Sequence, residues 1–158
     1  MHNIETELTR LDDDERELLL NELDAFSSSL ADAESKIPYI ALRRNIEEGK
    51  IPLENIIYLE NILELTLQSG RVRRLQSPQA EKRLLQLFNC TPRGDAIKRG
   101  VIETNKALEA LKGSVLNTVS FTPNIPGAYR IRIDTDSCRV DLEINRQGVS
   151  VKAVEIDI

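Results

Sequence analysis

The spacing of apolar residues changes near Gly113, and this change limits the fold class more than any other feature. Before Gly113, apolar residues recur every three or four positions, which is the period of an amphipathic helix. After it, apolar and polar residues alternate, which is the period of a strand. Helices followed by strands, with no helix between the strands, are typical of an α+β fold. We predict about five N-terminal helices followed by a three- to four-stranded antiparallel β-meander.

The segment 129–145 predicts a β-hairpin whose register can be checked against charge. If Asp136 and Ser137 form a two-residue turn, facing residues have numbers that sum to 273. This register pairs apolar side chains on one face and opposite charges on the other. The charged pairs are Asp134 with Arg139, Arg132 with Asp141, and Arg130 with Glu143. We interpret this face as solvated rather than as a metal or acid–base site.

A second hairpin near Gly148 adds a further strand, and the alternation slips after Ala153. Val154 and Ile156 take the opposite parity from Val149. The slip predicts a β-bulge, or a strand end that leaves the ladder. We therefore expect an exposed apolar edge at the last strand, and such an edge can pair with a partner.

A heptad pattern follows a predicted capping box, in which Asp12 and Glu15 begin the first helix. The pattern predicts one helix face that requires a partner helix. That partner is either another helix of the same chain or the same helix of a second subunit, and the sequence does not decide between them. The predicted helix seam consists of Leu19, Leu23, Phe26, Leu30, Ala33 and Ile37.

Proline and glycine residues predict the limits of the remaining helices. The second helix is expected to begin near Pro38, the third at Pro52, the fourth at Ser77–Pro78 and the fifth at Thr91–Pro92, with stops at Gly49, Gly70 and Gly113. We expect an acidic helical region over residues 1–75 and two helices packed on the sheet over residues 76–158. The two regions are either separate or one continuous domain.

Charge is segregated along the chain, which carries a formal net charge of −5. Acidic residues dominate positions 1–70, and basic residues dominate positions 71–99. A basic segment can bind phosphates of a nucleic acid, or it can neutralise acidic helices of its own chain or of a second subunit. We favour neutralisation. The alternative patch for an anionic partner consists of Arg71, Arg73, Arg74, Lys82 and Arg83.

The single histidine, His2, stands beside the first methionine. A Ser-His-Asp triad and a multi-histidine metal site are therefore excluded. We predict no catalytic, cofactor-binding or metal-ligating residues. Cys90 precedes a predicted helix start, where the positive helix end would favour a thiolate. We favour a buried structural thiol because no base accompanies it.

These observations favour a non-catalytic protein–protein interaction or assembly module. We expect it to form a homodimer through the helix seam or the last strand, and to bind a further, unidentified protein. The alternatives are a nucleic-acid-binding protein that uses residues 71–99 and an enzyme with a Cys90 nucleophile. Two cysteines without a dense framework predict free thiols in the cytoplasm. No apolar run is long enough to predict a membrane partner.

Overall fold

The fold is α+β, as predicted, with helices first and an antiparallel meander last. A computed structural model describes residues 7–156. The helices are α1 (Asp13–Ser29), α2 (Ala33–Glu48), α3 (Ile56–Ser69), α4 (Arg71–Leu75), α5 (Pro78–Asn89) and α6 (Pro92–Leu108). The strands are β1 (Glu7–Arg10), β2 (Lys50–Pro52), β3 (Leu116–Ile125), β4 (Ala128–Thr135), β5 (Cys138–Asn145) and β6 (Gly148–Ile156).

The chain forms two compact units, which we call the helical unit (Met1–Pro92) and the sheet unit (Arg93–Ile158). The division falls later than the boundary after residue 75 that the sequence led us to expect. The reason is that α5 packs against α3 and α4, and so belongs to the helical unit. Within the sheet unit, α6 accompanies the sheet where two helices were expected.

The helical unit is a bundle with an aliphatic core. Its most buried side chains come from five helices, α4 contributing Val72, and from the small β1–β2 pair, in which Ile51 is almost fully buried. Burial of one such side chain contributes roughly 1.5–3 kcal/mol to folding. The fully buried leucines and isoleucines of the helices are Leu19, Leu23, Leu42, Ile46, Leu59, Ile62, Leu63 and Leu84.

A short non-helical segment, residues 30–32, separates α1 from α2. The expectation of one helix carrying the whole helix seam is therefore wrong. Leu30 is extended (φ −78°, ψ 123°), and Asp32 caps a new helix. The Asp32 carboxylate accepts hydrogen bonds from the Ser35 hydroxyl at 2.9 Å and amide at 3.0 Å. The bond from the Ser35 hydroxyl has the largest effect, and together these bonds lower the pKa of Asp32. Pro38 consequently lies inside α2 rather than in its first turn.

The sheet has the strand order β3-β4-β5-β6, and the predicted hairpin register is confirmed. Arg132 faces Asp141, and Ile133 faces Val140. The predicted irregularity in β6 is a β-bulge: Lys152 is the extra residue between the partners of Leu142 and Asp141. The bulge accounts for the change of parity after Ala153.

Helix α6 packs on the apolar sheet face over β5 and the first part of β6, whereas Val154 and Ile156 of β6 stay exposed. A Cβ atom added at Gly100 would lie 2.4 Å from the carbonyl oxygen of Val149, so a side chain there would force the helix and strand apart. At the other end of the helical segment, the Cys138 thiol lies 3.4 Å from the carbonyl oxygen of Ala110. Under this cover Val140 and Leu142 are buried.

Candidate interaction surface

The β3–β4 half of the same apolar face is open. Val119 faces Ile133 and Phe121 faces Ile131, so these side chains continue the row that α6 covers over β5. The exposed members are Leu116 (58%), Val119 (58%), Phe121 (59%) and Tyr129 (45%), and we call these four residues the open face. The Phe121 and Tyr129 rings pack with their centroids 5.5 Å apart. A contiguous apolar surface of this kind is typical of an interaction site.

The outer edge of the open face is β3, and every one of its ten residues is exposed. The strand contains no charged residue. Exposed edges of natural sheets usually carry charges, proline or bulges that prevent pairing with another strand. In β3 these devices lie at the ends: Asn117 and Asn124 are bulged, and Pro123 precedes the second bulge. The stretch between them is regular.

The opposite edge, β6, is protected differently. Its bulged residue Lys152 pairs with Glu143 at 3.4 Å, and Glu155 pairs with Arg139 at 3.2 Å. A charged strand resists addition of another strand, because a newcomer would have to accommodate those charges. The two edges of the sheet therefore differ in their capacity to bind a partner.

The charged face of the sheet satisfies its charges internally. Arg132 donates two hydrogen bonds to Asp141, at 2.8 and 3.0 Å, and this pairing lowers the pKa of Asp141. A hydrogen bond from Arg139 likewise lowers the pKa of Asp134. These pairs satisfy the carboxylates, but Asp141 is buried at 8% exposure, so the interpretation of this face as solvated does not hold for that residue.

Glu143 is paired differently from the prediction. It faces Arg130 in the ladder, but its carboxylate forms its ion pair with Lys152. Desolvation raises the pKa of Glu143, and hydrogen bonds from Lys152, Asn145 and Asn124 outweigh it, so that the pKa is lowered. The bulge in β6 places Lys152 in this role, which no pairing rule for the β4–β5 hairpin could have revealed.

Residues 71–83 of the basic segment lie against acidic side chains of the helical unit. Three of the five candidate residues for an anionic partner form ion pairs there. The pairs are Arg71 with Glu22 at 3.4 Å, Arg73 with Glu81 at 2.7 Å, and Arg83 with Asp14 at 2.7 Å. Arg74 donates to the carbonyl oxygen of Ser69 at 3.0 Å, and Lys82 is exposed. This arrangement favours neutralisation over a phosphate-binding surface.

The predicted helix seam is divided between two helices. Leu19 and Leu23 are buried in the core of the helical unit, whereas Ile37 is 61% exposed on α2. Phe26 packs edge-to-face on Tyr39, with centroids 4.9 Å apart. Leu30 lies in the break, and Ala33 begins α2. The six residues therefore do not form one continuous face.

Cys90 is exposed, and the expectation of a buried thiol is wrong. It caps the C-terminus of α5, where its amide donates to the carbonyl oxygen of Leu87 at 3.0 Å. Cys138 is the buried thiol. Among the residues that the structure describes, no group of three His, Cys, Asp or Glu side chains is placed to hold a metal ion. Within the same residues, no helix has the length and apolar character needed to cross a membrane.

Sequence reasoning overlooked β3 as a candidate interaction surface, although a signal was present. Residues 113–129 contain no charged side chain in a chain that is 30% charged. An uncharged stretch of this length can be a fully covered strand or an open one. The choice depends on how many helices cover the sheet, which the sequence pattern did not reveal.

Comparisons of the chain with protein-family models, with curated proteins and with solved structures give no match.

Proposed function

We propose that the protein is a non-catalytic interaction module that assembles with itself, and that the open face and the β3 edge form its binding surface. The observation that carries the proposal is the distribution of apolar side chains. Among the described residues of the sheet unit, four apolar side chains are buried and eleven large ones are exposed. In the helical unit, fifteen apolar side chains are buried and seven large ones are exposed.

Energetics support an interface on the sheet unit. A unit of roughly 70 residues or fewer seldom gains more than about 3–5 kcal/mol from its own core. Full burial of one Phe, Leu or Val side chain contributes roughly 1.5–3 kcal/mol. Covering the open face with a partner would therefore add stability comparable to that of the unit alone.

The two surfaces proposed from sequence are less suitable. The helix seam is interrupted at Leu30, and its first half is occupied by intrachain packing. The last strand has exposed Val154 and Ile156, but it also carries Lys152 and Glu155. An uncharged edge beside an apolar face accommodates a partner at lower electrostatic cost. We therefore assign the interaction to β3.

The proposal also places the assembly in the cytoplasm. Its support is that Cys90 and Cys138 are both free thiols, and that Cys90 is exposed. An exposed free thiol is compatible with a reducing compartment.

Substitution of one residue of the open face tests the proposal. We expect the native protein to have twice the 17.9 kDa mass of one chain in light scattering coupled to size-exclusion chromatography. Phe121→Lys should shift it to the monomer, because association would have to desolvate an ammonium group. Ile37→Lys is the matched control, since Ile37 is equally exposed but lies on α2. It should leave the mass unchanged.

A native protein that is monomeric over a hundredfold range of concentration would refute self-assembly. A dimer that Ile37→Lys dissociates and Phe121→Lys does not would move the interface to the helical unit.

A further inference from the structure

We infer that the partner of β3 is the β3 strand of a second copy, paired antiparallel about a two-fold axis at Ser120. This inference rests on the proposed function and specifies its geometry. The sheets of the two copies would then join into one sheet of eight strands, with β3 beside β3 at its centre.

The regular stretch of β3 determines the register. Bulges at Asn117 and Asn124 interrupt the ladder, and Pro123 has no amide hydrogen to donate. The longest stretch free of both is Thr118–Thr122, and Ser120 is its middle residue. Two copies that pair over this whole stretch place Ser120 opposite Ser120, and Val119 opposite Phe121 of the other copy.

Both faces of the strand complement themselves in this register. On the apolar face, Val119 of each copy meets Phe121 of the other copy. A β-branched residue opposite an aromatic one is a favourable cross-strand pair. On the polar face, hydroxyl side chains meet hydroxyl side chains: Thr118 faces Thr122, and Ser120 faces its own copy. A two-fold axis perpendicular to the sheet also keeps the open faces of both copies on the same side.

The absence of charge explains why β3, and not the other edge strand β6, can pair with its own copy. In antiparallel self-pairing, the charges of an edge strand restrict the registers that a copy can adopt. β3 has no charge that a copy could repel in any register, whereas β6 carries Lys152 and Glu155. The same bulges that define the register also stop the ladder from extending, which limits assembly to a closed dimer.

A disulfide trap tests the register directly. Facing residues of an antiparallel pair have Cα atoms about 4.5–5.5 Å apart, which is within the range of a disulfide. Ser120→Cys, in a Cys90→Ser background that removes the exposed native thiol, should therefore give a covalent dimer on mild oxidation. Thr122→Cys in the same background is the control. Its copies would be separated by about 14 Å along the strands, too far to bridge.

Light scattering of the reduced proteins separates the possible failures, and circular dichroism confirms that each variant is folded. A dimer that is trapped by Ser120→Cys, and not by Thr122→Cys, supports the inference. A dimer that neither cysteine traps, or that both trap equally, overturns the β3 register and leaves the proposed self-assembly intact. A monomer under reducing conditions at every concentration overturns both. If Ser120→Cys does not fold, Ser120→Lys provides the second test, because two ammonium groups would meet at the axis and the dimer should be lost.

Discussion

The helical unit and the sheet unit complete their structures in different ways. In the helical unit, α1, α2, α3 and α5 contribute fully buried side chains to one core, and arginines of the basic segment pair with carboxylates of α1 and α5. In the sheet unit, α6 packs over Val140 and Leu142, whereas Val119 and Phe121 of the same apolar face are exposed. One unit is complete in itself, and we propose that the other is completed by association.

The charges of the two units show the same contrast. In the β4–β5 hairpin of the sheet unit, the charged side chains lie on one face, where Arg132 pairs with Asp141 and Arg139 with Asp134, so they stabilise that face without restricting the other. The apolar edge strand is left without charge. A surface that is apolar on one side of a paired, charged ladder has only one side available for a partner.

Of the substitutions that test this contrast between the two units, Gly100→Ala is expected to have the largest effect on stability. The added methyl group would overlap the carbonyl oxygen of Val149, so α6 would have to move away from β6. We expect a loss of about 1–3 kcal/mol in the free energy of unfolding of the sheet unit, as for other overpacked sites. Urea unfolding measures it.

Gly113→Ala provides a control for that experiment. No atom lies within 4 Å of a Cβ at Gly113, although its φ of 83° adds strain of its own. If Gly100→Ala destabilised the protein no more than Gly113→Ala, the close approach of α6 to the sheet would not be important for its stability.

A smaller effect, present at neutral pH and lost in acid, is expected from Asp141→Asn. Because hydrogen bonding to Arg132 lowers the pKa of Asp141 in the folded state, its contribution is complete above the unfolded pKa of about 3.9. The contribution is lost as the pH falls through the lower, folded value. Asp141→Asn should therefore cost about 1 kcal/mol at neutral pH and weaken the loss of stability below about pH 4.

Thermal unfolding at pH 7 and pH 3 measures both quantities. Glu109→Gln, exposed in the turn after α6, removes one carboxylate of similar chemistry outside the ladder. An equal response of the two variants to acid would show that the pairing with Arg132 contributes nothing specific.

The sequence predicted those features that depend on neighbouring residues or on parity. The β4–β5 register follows from alternation and from opposite charges across one turn, and the bulge in β6 follows from the change of parity. Ser77, Gly49 and Gly70 cap helices where expected, because cap chemistry is local. The break at Leu30 was missed because the heptad spacing continues through it, and Asp32 was not considered as a cap.

The interaction surface could not be predicted in the same way. Whether Phe121 is buried depends on how many helices lie on the sheet, and α5 joins the helical unit instead. That choice is made by tertiary packing, since the apolar faces of α5 and α6 look alike in the sequence. Alternation predicted the strand containing Val119 and Phe121, but it gave no information about what covers them.

Hydrogen exchange at several protein concentrations tests the central claim most directly. If association completes the sheet unit, protection of the amides in Thr118–Thr122 should rise as the concentration passes through the range in which the mass doubles. Amides of α3, whose Leu59 and Leu63 are fully buried, should exchange at the same rate throughout. Exchange in β3 that stays unchanged while the mass doubles would contradict the account.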